Sequence, residues 1–164
     1  MSAKIKRYET TLATLGLGVI AFGVWNVVKY LIYFILGIND QTAENTGASS
    51  IDVTTAYYII HGIIFALLLI DLALRLIIGL SARSEGLGKK SRKAYIVLSV
   101  FIVLLESISV YTDIVSLTES NSEFIDSLTA VLIDITSIAA LVWLIVVSIK
   151  LKKAKKQIEN GGEI

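Results

Sequence analysis

Lys29, His61, Glu106, Asp113 and Asp134 are ionisable residues set inside long apolar stretches, with the amide of Asn26 among them. A charged residue at the centre of a membrane helix costs roughly 2.5–3.5 kcal/mol, so such residues face a partner or water. One lysine cannot neutralise three carboxylates. Either a carboxyl carries a proton, or a cation or water joins the group. That is the chemistry of a cation or proton site, and equally of a hydrogen-bonded core that fixes helix register. His61 with the three carboxylates also suits a divalent ion, but no H-x-x-E or E-x-x-H spacing sharpens this, and the metal is left unknown. Asp71 and Arg75 stand four residues apart, the spacing of a salt bridge within one helix, and read as a structural ion pair.

The elements that carry these residues are four apolar runs, at about 11–38, 55–80, 94–117 and 124–149. Each exceeds the ~20 residues that cross ~30 Å of hydrocarbon as a helix. The chain is 55% hydrophobic, with a mean hydropathy of +0.75, too apolar for an ordinary soluble domain. The expected fold is an all-α integral membrane protein, one domain over residues 1–164. Its four transmembrane helices form an antiparallel bundle with a polar, charged interior and short cytoplasmic tails. The first run is longer than a signal-peptide core and is read as retained. The polar positions fall on stripes at intervals of three, four or seven. These are Phe22, Asn26, Lys29 and Tyr33; Tyr57, His61, Ile64, Leu68, Asp71 and Arg75; Ser99, Glu106, Ser109 and Asp113; and Ser127, Asp134, Ser137 and Ser148. Leu, Ile and Val are expected to face lipid.

Charges outside the runs sort by sign. Lys4, Lys6 and Arg7, then Arg83, Lys89, Lys90, Arg92 and Lys93, then Lys150, Lys152, Lys153, Lys155 and Lys156 flank alternate ends. The other connections hold only Asp40, Glu44, Asp52, Glu119, Glu123 and Asp126. Both termini are therefore expected in the cytoplasm, with the plasma membrane as the location. Residues 39–54 read as a solvated loop, and SARSEGLGKKSRK as a plain linker with glycines at 86 and 88. The tail KLKKAKKQIENGGEI reads as a basic extension of the fourth span ending at Gly-Gly. Its lysines read first as the topology signal, and they also suit anionic lipid head groups.

No cysteine or proline is present, which excludes disulfides, thiolate metal sites and proline kinks. No nucleophile–base signature, P-loop, dinucleotide fingerprint or H-E-x-x-H occurs, so neither catalytic residues nor a cofactor are expected, and an intramembrane enzyme using Asp/Glu chemistry ranks only third among the readings. Nucleic acid is not an expected partner, because no aromatic interleaving accompanies the lysines. The bilayer is, together with a second copy or a partner membrane protein, and a cation or proton at the acidic cluster.

The four-span topology is loosely similar to voltage-sensing domains, but span four lacks an arginine ladder and its central charge is Asp134. Tetraspanins share buried polar residues in spans one, three and four, as with Asn26, Glu106 and Asp134, but their cysteine-bearing outer loop is missing. Two functional expectations follow. One is a small channel-like or transporter-like protein handling a cation or proton. The other is a non-conducting accessory, immunity or scaffold subunit whose buried charges are structural or pair with a partner.

The cysteine-free background makes orientation directly testable. Glu44→Cys should react with a membrane-impermeant maleimide on intact cells, and Gly161→Cys only after permeabilisation. The reverse labelling pattern would overturn the expected orientation.

Overall fold

Hydrocarbon offers no water to a backbone N–H or C=O, so an apolar segment that crosses it must satisfy those groups internally, as a helix does. The computed structural model describes residues 3–35, 50–89, 94–119 and 124–159. These form four helices: α1 (Ala3–Ile35), α2 (Ser50–Gly86), α3 (Ala94–Glu119) and α4 (Phe124–Glu159). All four are long and apolar enough to span a membrane, over Ala3–Ile32, Tyr58–Gly86, Ala94–Thr112 and Val131–Ile158.

The helices run past the apolar stretches that mark them. α1 begins at Ala3, before the apolar run opens at 11, and α4 carries its helix through the lysines to Glu159. Ser50–Thr54, expected in a solvated loop, already belongs to α2, while 39–49 lie outside the described residues. The expected linker after span two is helix as far as Gly86. There Gly88 takes φ +79°, the left-handed conformation that glycine adopts without steric cost. The Gly88 N–H donates to the Glu85 carbonyl at 3.0 Å and the Lys89 N–H to the Ser84 carbonyl at 3.0 Å. This is a Schellman cap, which satisfies the last carbonyls of the helix. Residues 90–93 and the Gly-Gly at 161–162 lie outside the described residues.

The chain divides into two compact units, residues 1–19 with 77–164, and residues 20–76. In the first, buried positions follow the 3.5-residue repeat of packed helices. They are Ile5, Glu9, Leu12, Gly16 and Val19 on α1; Tyr95, Ser99 and Ile102 on α3; and Ser137, Leu141, Leu144, Ser148 and Leu151 on α4. α3 and α4 lie side by side in opposite directions, since Tyr95 meets Ser148 while Glu106 meets Ser137. α1 and the end of α2 are likewise opposed, and they touch through glycine. A Cβ on Gly16 would lie 2.5 Å from the Gly79 carbonyl oxygen, and one on Gly86 would lie 2.6 Å from the Glu9 carbonyl oxygen. Backbones approach this closely only where side chains are absent.

In the second unit, Gly23 on α1 faces Leu72 and Arg75 of α2. Its missing side chain makes room for the arginine stem, since a Cβ would sit 2.8 Å from Arg75 Cδ. Large aliphatic residues such as Leu67, Leu104 and Val97 are exposed, as a lipid-facing surface requires.

The glycine contacts separate two substitutions of the same kind. Gly16→Ala should destabilise by about 1–3 kcal/mol, because its methyl meets backbone atoms that cannot rotate away. Gly18 has open space around it, so Gly18→Ala should be neutral or gain up to about 1 kcal/mol of helix propensity. Unfolding in mixed dodecyl sulfate micelles, followed by tryptophan fluorescence, would compare them.

Candidate functional site

Each expected site residue sits on a helix, and its unit decides what it can be said to meet. Asn26, Lys29 and His61 belong to the unit of residues 20–76, and Glu106, Asp113 and Asp134 to the other. Asn26, Lys29, His61, Glu106 and Asp134 are half-buried, and the Asp113 side chain lies outside the described residues. Among the described residues, no three His, Asp or Glu side chains converge as a metal site.

In the unit of residues 20–76, Arg75 is almost fully buried, and its Nε donates to Asp71 Oδ2 at 2.8 Å. The four-residue spacing lays both side chains over one helix face. His61 lies among aromatic rings, with centroids at 5.5 Å from Phe34 and 6.3 Å from Tyr30. Tyr30 Oη donates to the His61 carbonyl at 3.1 Å, which anchors α1 to α2 at that level. The rings of Tyr30, Phe34, Tyr58, His61 and Phe65 border a cavity of about 310 Å³. It is aromatic and apolar in character.

In the larger unit, Glu106 is the mid-span carboxylate. Ser137 of α4 donates its hydroxyl hydrogen to Glu106 Oε1 at 2.9 Å. Ser99 and Ser107 on α3 and Thr136 on α4 instead donate to carbonyls four residues earlier, at 2.7–2.8 Å. Such back-bonding satisfies a hydroxyl inside its own helix. Ser109, expected on the inward stripe of span three, is exposed.

The densest polar constellation lies where the basic flanks meet the helices; Glu9, Glu85 and Tyr95 did not stand among the sequence candidates, and Lys152 and Lys155 stood there only as topology or lipid-binding lysines. Glu9 of α1 and Lys155 of α4 pair at 2.8 Å. Glu85 of α2 is buried, and its Oε2 accepts a hydrogen bond from Tyr95 Oη of α3 at 2.8 Å. Lys152 Nζ of α4 stands 3.7 Å from the same carboxylate oxygen and 5.2 Å from the centroid of the Tyr95 ring. Tyr95 also hydrogen-bonds Ser148 of α4. A carboxylate has no hydrogen to give, so the tyrosine proton goes to Glu85 and Ser148 donates to tyrosine. The order Ser148 to Tyr95 to Glu85, with Lys152 alongside, ties α4, α3 and α2 together. The available signal was the sign of Glu9 and Glu85, two acids inside otherwise basic flanks.

No family model matches the chain, and neither does any curated protein or solved structure. What the chain shows on its own residues is a membrane protein with buried charged groups.

Tyr95→Phe keeps the ring and removes the hydroxyl that joins Glu85 to Ser148. It should destabilise by about 1–3 kcal/mol, the range for leaving a buried polar group without its partner. Ser148→Ala, which leaves the Tyr95–Glu85 bond in place, should fall at the low end of that range. Thermal melts of the two variants in one detergent would check the order.

Proposed function

We propose that the chain is a four-span plasma-membrane protein with both termini cytoplasmic, folded as an antiparallel bundle with a polar interior. We further propose that it works as a non-conducting accessory or scaffold subunit. The observation that carries this reading is the pairing of its most deeply buried ionisable groups. Glu9, Arg75 and Glu85 each have an opposite charge at 2.8, 2.8 and 3.7 Å respectively. Charges matched within the protein fix which helix faces meet and in what register, a recognised use of buried ionic groups. A conducting site instead holds charge in reserve for the ion that passes. The orientation rests on the basic flanks, and the partner expected is another membrane protein or a second copy of the chain.

A second reading is favoured by Glu106. It is a half-buried carboxylate at mid-span on α3, held by Ser137. Cation or proton handling through Lys29, His61, Glu106, Asp113 and Asp134 would use it as the central acid.

Flux and stability separate the two readings. Liposomes carrying the parent chain should pass protons and potassium no faster than empty ones. Glu85→Gln and Arg75→Leu should lower stability by about 1–3 kcal/mol, less than for a fully buried pair because the stranded Lys152 and Asp71 are each about 30% exposed. Flux above background that Glu106→Gln and Asp134→Asn abolish would instead establish the second reading.

A further inference from the structure

At the flank where α1 starts, α2 and α4 end and α3 begins, the charges are sorted by depth as well as by sign. The acids Glu9 and Glu85 are turned inward and occupied, by Lys155 and by Tyr95 with Lys152. The cations left over point outward. The basic residues at positions 4, 6 and 7, with Arg83, Lys89, Lys150, Lys153 and Lys156, are all exposed. Among the described side chains at this flank, no acid is exposed between them. Helical geometry explains the split on α4. Ser148, Leu151, Lys152 and Lys155 follow the packed stripe, and Lys150, Lys153 and Lys156 fall outside it and are exposed.

We propose that this collar is a docking surface for anionic phospholipid head groups, which it gathers around the folded protein. Positive-inside sorting requires basic residues only as the chain inserts, and it sets no demand on where nearby acids end up. Burying both acids leaves an exposed surface of one sign, which attracts anionic lipid by about 1 kcal/mol per basic residue near the membrane. α4 continues as helix from the apolar run straight into the lysines. At 1.5 Å per residue, Lys150, Lys153 and Lys156 therefore climb through about 9 Å, the depth of a head-group layer. The inference rests on the membrane reading above, but not on which side of the membrane the collar faces.

The test reconstitutes the full chain in phosphatidylcholine vesicles with trace spin-labelled phosphatidylglycerol or spin-labelled phosphatidylcholine. The motionally restricted fraction measures the lipid held at the protein. Phosphatidylglycerol should be preferred by about five- to thirtyfold at low salt, an effect of one to two basic residues acting together. The preference should fall towards unity in 1 M NaCl, where the Debye length is about 3 Å. It should also fall in the triple variant Lys150→Gln, Lys153→Gln, Lys156→Gln. That variant spares the paired Lys152 and Lys155, and unchanged circular dichroism and melting would certify its fold. Equal affinity for the two lipids in the parent chain overturns the proposal, as does an undiminished preference in the triple variant. Retention of duplex DNA by the collar without lipid selectivity would overturn it in favour of nucleic acid. Absence of any restricted component with either lipid would mean that the chain does not enter the bilayer, which is failure of the membrane reading itself.

Discussion

The fold turns on a carboxylate that cannot be left alone. Glu85 is buried at the end of α2, where a carboxylate without donors carries a desolvation cost of several kcal/mol. Its partners come from two other helices: the Tyr95 hydroxyl of α3 donates a hydrogen bond, and the Lys152 ammonium of α4 stands 3.7 Å away as a counter-charge. The next residue, Gly86, lies against the Glu9 carbonyl and Ala13 of α1. Two consecutive positions thus bring all four helices to one place. Since Tyr95 has a single proton and gives it to Glu85, its other contact must be filled by a donor, and Ser148 fills it. The demand of one buried charge therefore propagates into the register of α3 against α4.

Between such points the helices need another source of attraction. In lipid there is no hydrophobic gain from joining two apolar surfaces, so association depends on close van der Waals packing. The α1–α2 contact is built for that. Gly16, facing Gly79 and Ala82, lets backbone approach backbone, and Gly23 accommodates the stem of Arg75. Glycine in a helix is less favourable than alanine by roughly 1 kcal/mol. At these positions an alanine methyl would overlap existing atoms, so the preference inverts. Gly18, with open space around it, has no such reason.

Hydropathy makes the existence, number and helical nature of the spans legible, because a run of Leu, Ile and Val cannot be satisfied otherwise in this length. It does not show where the helices stop. Hydropathy falls at Lys150, but the helix continues, because lysine is a good helix former and Lys152 and Lys155 also meet acids of α2 and α1. The buried stripe of α1 was obscured for a related reason. It runs through Gly16 and Gly23, residues without apolar signal, one position away from the stripe suggested by Phe22 and Lys29. Glu9 and Glu85 were hidden by their surroundings, since charge counting treats a basic flank as a single sign. Ser99, Ser137 and Ser148 were legible by spacing and are buried, whereas Ser109 kept the spacing but faces outward. Spacing gives the phase of a helix only as well as its neighbours are known.

The kinds of polar pairing differ along the helices in a way that follows from the medium. Towards the basic flank, ion pairs join separate helices, and Lys152 and Lys155 keep about a third of their side chains exposed. Residual water and head groups there reduce the desolvation that makes a fully buried pair unfavourable. Deeper in the spans, hydroxyl pairings stand beside the Asp71–Arg75 ion pair. Serine and threonine hydroxyls close on their own helix carbonyls, and Glu106 takes a neutral serine partner. Arg75 stands between these regimes. It is nearly fully buried, while its partner Asp71 keeps 31% of its side chain exposed. Glu106 brings a half-buried carboxylate into this region, where it accepts the Ser137 hydroxyl of α4 and so ties α3 to α4 below the flank.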